Sequence, residues 1–149
     1  ERADVPTLAD ALAALEGSND VREVLPAEPA IERAEWELDI ELPGPTPGES
    51  SGARAWLEPA PDELSLDTLQ WRGLTASDLE RGRKSAWSLV VSTHLGGHPL
   101  RDFHRLVRLL ALLAPEAAMI YDLDSLTPRS GHWLHSSVPG YGQPTVKVM

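Results

Sequence analysis

Proline decides what the middle of this chain cannot be. Between residues 26 and 61 it recurs at 26, 29, 43, 45, 47, 59 and 61. Its ring removes a backbone N–H and clashes with the preceding turn, so no helix runs through this stretch. Strands and loops remain. Within it, "AEWELDIELPG" (34–44) alternates. Trp36, Leu38, Ile40 and Leu42 fall on one side, and Glu35, Glu37, Asp39 and Glu41 on the other. Period two predicts a half-buried strand with a solvated acidic outer face. "PGPTPGESSG" (43–52) is turn chemistry, and "ARAWLEPAP" (53–61) returns as a shorter strand. The two read as a hairpin with a loose loop.

Helices are expected on either side of this region. Leu8, Leu12 and Leu15 make a stripe over about 6–16, with Thr7 and Asp10 placed as a capping box and Gly17 as a stop. A second short helix is expected near 75–83, again with a threonine (Thr75) and an aspartate three residues on (Asp78). "AWSLVVSTHL" (86–95) reads as a central strand covered on both faces. The longest helix is expected at 98–114, with Pro99 at its first position and Pro115 beyond its end. Leu100, Phe103, Val107 and Leu110 form one stripe, and Leu106, Leu109, Leu110 and Leu113 are expected in the core. "AAMIYDLDS" (117–125) is a further strand, a single helical turn is expected around Trp133, and "TVKVM" reads as a last strand. The expected architecture is one α+β domain over 1–149, a mixed sheet packed by the long helix and two shorter ones. The start at Glu1, without methionine, reads as the N-terminal or trimmed part of a longer chain.

The charge balance narrows the partners. The formal net charge is -10, from 23 acidic and 13 basic residues. Such a surface repels phosphate backbones and anionic lipids, so neither nucleic acid nor a membrane is expected as a partner. The apolar run "LVRLLALLA" (106–114) is about half the length that spans a bilayer. Cysteine is absent, which removes disulfides, thiolate metal sites and a cysteine nucleophile, and fits a reducing compartment. Trp36, Trp56, Trp71, Trp87 and Trp133 read more simply as core anchors than as a ligand platform.

Histidine is the remaining signal. "VVSTHLGGHPLRDFH" (90–104) holds three of the five. Were the strands at 86–95 and 117–125 parallel neighbours, both would end at the amino terminus of the long helix. That edge would gather His94, His98, Asp122 and Asp124, with His132 and His135 close in sequence. Imidazoles and carboxylates there could hold a divalent metal and activate water, which gives a metal-dependent hydrolase as the alternative reading. The spacing matches no zinc motif. Gly96 or Gly97 is expected at positive φ, turning the chain into the helix, with His98 at the helix's positive end and its pKa lowered. A phosphate cradle at that turn would lack its lysine, and no glycine-x-serine-x-glycine elbow exists for a serine hydrolase. Without a complete catalytic constellation, the leading expectation is a non-enzymatic module. It would bind a protein partner or an adjacent domain, with no cofactor.

The order of elements over 70–134 resembles a bacterial family known only as a domain of unknown function. A short helix leads to a strand, then to the leucine-rich segment Leu106 to Pro115. A strand closing at Asp122 follows (Ile120 to Asp122), then "SGHWL" from Ser130 to Leu134. That resemblance implies the α+β fold, a bacterial and cytoplasmic setting, and a second uncharacterised domain after this one. It assigns no catalytic residue.

Overall fold

The computed structural model describes residues 6–28, 30–44, 48–60, 74–93, 99–117, 119–122, 127–131 and 133 of the 149. Nine elements follow in order: α1 (Leu8–Leu15), β1 (Glu23–Pro26), β2 (Trp36–Pro43), β3 (Ser50–Pro59), α2 (Ala76–Arg83), β4 (Trp87–Thr93), α3 (Pro99–Leu113), β5 (Met119–Asp122) and β6 (Thr127–Ser130). The class is α+β, as the sequence predicts. Among the described residues pairing is antiparallel, where a mixed sheet is expected. One sheet runs β1-β2-β3-β4, and β5 pairs with β6 in a separate two-stranded sheet.

Proline marks where these strands stop. β1 ends at Pro26, β2 at Pro43 and β3 at Pro59. A residue without an N–H cannot carry a ladder onward, so each strand is cut at its proline. The hairpin of β2 and β3 is longer than its sequence suggests. Its ladder begins at Pro43 opposite Ser50, so Ser50 to Gly52 belong to strand rather than loop. Gly48 takes φ +90 in the turn, a left-handed conformation that glycine enters without a Cβ clash.

One face of the large sheet carries the core. Leu38, Ile40 and Leu42 of β2 and Ala53 and Ala55 of β3 are buried with Ala11 and Leu15 of α1 and with Leu109 and Leu113 of α3. Two helices therefore cover the inner face. Arg108 Nη2 lies 3.0 Å from Asp20 Oδ1 and ties α3 to the turn after α1. Both short helices carry the expected capping boxes. Thr7 Oγ1 accepts from Asp10 N at 3.1 Å and Asp10 Oδ2 accepts from Thr7 N at 3.2 Å. Thr75 and Asp78 repeat this at 3.1 Å each way. Gly17 follows α1 at φ +78.

Three expectations are corrected. First, among the described residues β4 stands at one end of the sheet, pairs with β3 alone and is half-buried along most of its length, where a central strand covered on both faces is expected. Trp87, Leu89 and Val91 share the inner face, and Ser88 and Ser92 the outer, so the run alternates with only Val90 out of step. Second, β4 and β5 are not parallel neighbours, because β4 pairs with β3 and β5 with β6. Third, the core turns about Leu109, which is 0% exposed, and Leu113. Leu106 and Leu110 are only half-buried, and Leu100 is 45% exposed. The outer side of α3 is closed by Phe103, whose ring centroid lies 6.4 Å from that of Trp133 at 57°. Gly131 and Trp133 are helical, as expected around Trp133. Trp36, Trp56, Trp87 and Trp133 are half-buried anchors rather than interior residues. No described helix is long and apolar enough to cross a membrane. The expected strand at "TVKVM" and Trp71 lie outside the described residues.

Candidate functional site

His94, His98 and Asp124 lie outside the described residues, together with Gly96, Gly97, His132 and His135. The backbone of Asp122 closes β5 opposite Thr127. β4 and β5 belong to different sheets, so they do not end side by side on one parallel edge. His104 is half-buried on α3. Among the described residues no three histidine, aspartate or glutamate side chains are arranged to hold a metal ion.

The face of the large sheet turned away from α1 and α3 has more to offer. The register places Glu23 beside Glu41, Leu25 beside Asp39, Asp39 beside Arg54, Glu37 beside Trp56 and Glu58 beside Ser88. Five carboxylates and one guanidinium therefore share the outer surface of four strands. This is the acidic face that the alternation of 34–44 predicts. At its β1–β3 end lies a shallow, open depression of about 340 Å³, walled by Glu23, Leu25, Asp39, Glu41, Ser50 and Ser51 and floored at Gly52. Gly52 opposes Glu41 and has no side chain to fill that space. Leu25 is 54% exposed, the most exposed large apolar side chain among the described residues. Arg22 lies 3.9 Å from Glu41 at the surface, too solvated to neutralise it.

Glu37 departs from expectation. It sits on the acidic face yet is buried, because the β1–β2 connection folds back over it. Its Oε1 accepts from Ala30 N at 2.9 Å and from Ile31 N at 2.6 Å. Arg54 lies over the same spot. Its Nε stands 3.3 Å from Asp39 Oδ1 and 3.6 Å from Glu37 Oε2, and its Nη2 donates to Glu28 O at 3.5 Å. Alternation assigns Glu37 to solvent, and only the fold of residues 27–35 removes it. The usable signal in the sequence is Arg54, the one cation in "ARAWLEP" and the partner that a covered carboxylate needs.

Chemically this face is a field of fixed negative charge around an exposed apolar side chain. None of the described residues that form this face is a histidine.

No curated protein and no solved structure matches the chain. A family model described as "Protein of unknown function (DUF4026) N-terminal" matches residues 4–139, a wider span than the 70–134 over which the resemblance is legible by eye. The chain belongs to the DUF4026 N-terminal family of unknown function.

Proposed function

We propose that this chain is a non-enzymatic interaction module of a bacterial cytoplasmic protein, and that its outer sheet face holds a protein partner or an adjacent domain. The observation that carries the reading is the pairing of Leu25, 54% exposed, with the exposed carboxylate of Asp39 on a face that neither α1 nor α3 covers. An apolar centre with a charged rim is how protein interfaces are built. The net charge of -10 favours a basic partner and argues against nucleic acid. The bacterial and cytoplasmic setting and the following domain rest on the family resemblance.

The test compares wild type with the Asp39→Lys, Glu41→Lys double variant, by light scattering after size exclusion and by retention of partners from a bacterial lysate. A defined partner retained by wild type, released by salt and lost in the charge-reversed variant supports the reading. A strictly monomeric protein that retains nothing and turns over a hydrolase substrate overturns it.

A further inference from the structure

Three features of the depression on the outer sheet face work against folding. Glu23 and Glu41 stand directly opposite one another in the β1–β2 ladder, and like charges so placed repel. Leu25, the next outward residue of β1, is 54% exposed and so forgoes most of what burial would contribute. Gly52 lies within β3, where a glycine weakens the strand and often marks close approach by a ligand or another backbone. Conformation does not require this glycine, because its φ is not positive, and a Cβ built on it meets nothing within 4 Å. All three features wall the same depression.

The same face shows how it takes a cation. Arg54 of β3 stands opposite Asp39, with its Nε 3.3 Å from Asp39 Oδ1 and 3.6 Å from Glu37 Oε2. One guanidinium thus serves two carboxylates. Two residues earlier on β3, at the outward position opposite Glu41, stands Gly52. Arg22 comes only within 3.9 Å of Glu41, with both side chains solvated, and Glu23 is exposed. Two carboxylates beside a floor without a side chain fit a guanidinium from another chain, whose planar fork can bond both. An ammonium, a compact point charge, matches that pair less well.

We propose that this depression receives an arginine side chain from a basic segment of the protein partner. The guanidinium bridges Glu23 and Glu41 over Gly52, and an apolar neighbour in the same segment lies on Leu25. The inference rests on the reading of the outer face as a protein interface and names what that interface grips. Charge complementarity selects the occupant, and the repulsion between Glu23 and Glu41 is relieved when it binds.

The test uses the whole chain, isotope-labelled for NMR. The probe is the peptide acetyl-Leu-Arg-Leu-Arg-Leu-amide, titrated at low salt and followed by backbone amide shifts. Saturable shifts at Glu23, Leu25, Glu41 and Gly52 are expected. The same peptide with lysine in place of arginine should bind about threefold more weakly. Glu23→Gln should raise the Kd for the arginine peptide about threefold, the effect of one exposed ion pair. Gly52→Val should remove the response with Tm unchanged, since the space is open and a β-branched residue suits a strand. The proposal is overturned if the shifts at these four residues do not saturate, or if the lysine peptide or spermidine binds as tightly. It is equally overturned if Gly52→Val binds like wild type. Should Gly52→Val not fold, an unchanged Kd in Glu23→Gln overturns it. Failure here is separable from failure of the interface reading. If the peptide gives no saturable shifts while a partner is still lost in the Asp39→Lys, Glu41→Lys variant, the arginine site falls and the interface stands.

Discussion

Glu37 Oε1 accepts from the backbone N–H of Ile31 at 2.6 Å, so one buried carboxylate fixes the connection between β1 and β2 against the outer face of the sheet. Arg54, with Nε 3.6 Å from the other oxygen, supplies charge without a hydrogen bond. Loss of the carboxylate would leave two backbone donors without their acceptor and take away one of the two carboxylates beside Arg54. Glu37→Ala is therefore expected to cost about 3 kcal/mol. Glu37→Gln keeps a carbonyl oxygen for Ala30 and Ile31 and should cost roughly half as much. Urea melts of the two variants measure the difference, and equal losses would show that the ion pair rather than the loop anchor matters.

The core prediction separates two leucines of one helix. Leu109 is 0% exposed and Leu100 is 45% exposed. Leu109→Ala should cost about 2–5 kcal/mol through lost burial and a residual cavity. Leu100→Ala should stay within about 0.5 kcal/mol, as surface substitutions do. Guanidinium denaturation with unchanged m-values would check both.

Asp10 carries a pH prediction with a definite sign. Its pKa is held below 3.8, first by the Thr7 hydroxyl side of the capping box and then by the Thr7 backbone N–H. A depressed folded-state pKa contributes stability that is present above the unfolded value, near 3.8, and is lost as pH falls through the lowered one. An NMR titration of the Asp10 carboxyl should give a midpoint below 3.8. In Thr7→Val that midpoint should move up toward 3.8, with about 1 kcal/mol lost from the cap.

The turn after α1 should be sensitive for backbone reasons alone. Gly17 has φ +78 and open space around the position a Cβ would take. Gly17→Ala is thus penalised only by conformation, by about 1–2 kcal/mol. Gly52→Ala, equally uncrowded and without a positive φ, should be close to neutral on the same melts.

Local rules were legible in this sequence, and tertiary ones were not. The two Thr–Asp capping boxes, the alternation of 36–42 and the length of α3 are decided within a few residues, and each appears where the sequence places it. β1 went unread because "EVLP" is four residues long and owes its strand conformation to pairing with β2. Val90 interrupts the serine alternation of β4, so a half-buried strand reads in the sequence as one covered on both faces. The burial of Glu37 depends on the nine-residue connection between β1 and β2 folding back, which no periodicity encodes. Leu109 rather than Leu110 faces the sheet because α1 and the sheet together set the rotation of α3. Of the candidate site residues only Asp122 falls among those described, and its neighbours across the ladder are those of β6, not β4.

Pro26 has a consequence beyond ending β1. Among the described residues the strand it closes stands at one end of the large sheet, and exposed strand edges are where separate molecules template one another into aggregates. Here that edge is four residues long, opens with the charge of Glu23 and finishes on a residue with no N–H to offer. A second molecule approaching along it finds few donors to zip against. The proline that limits the strand thereby also guards the molecule's solubility at high concentration on that side.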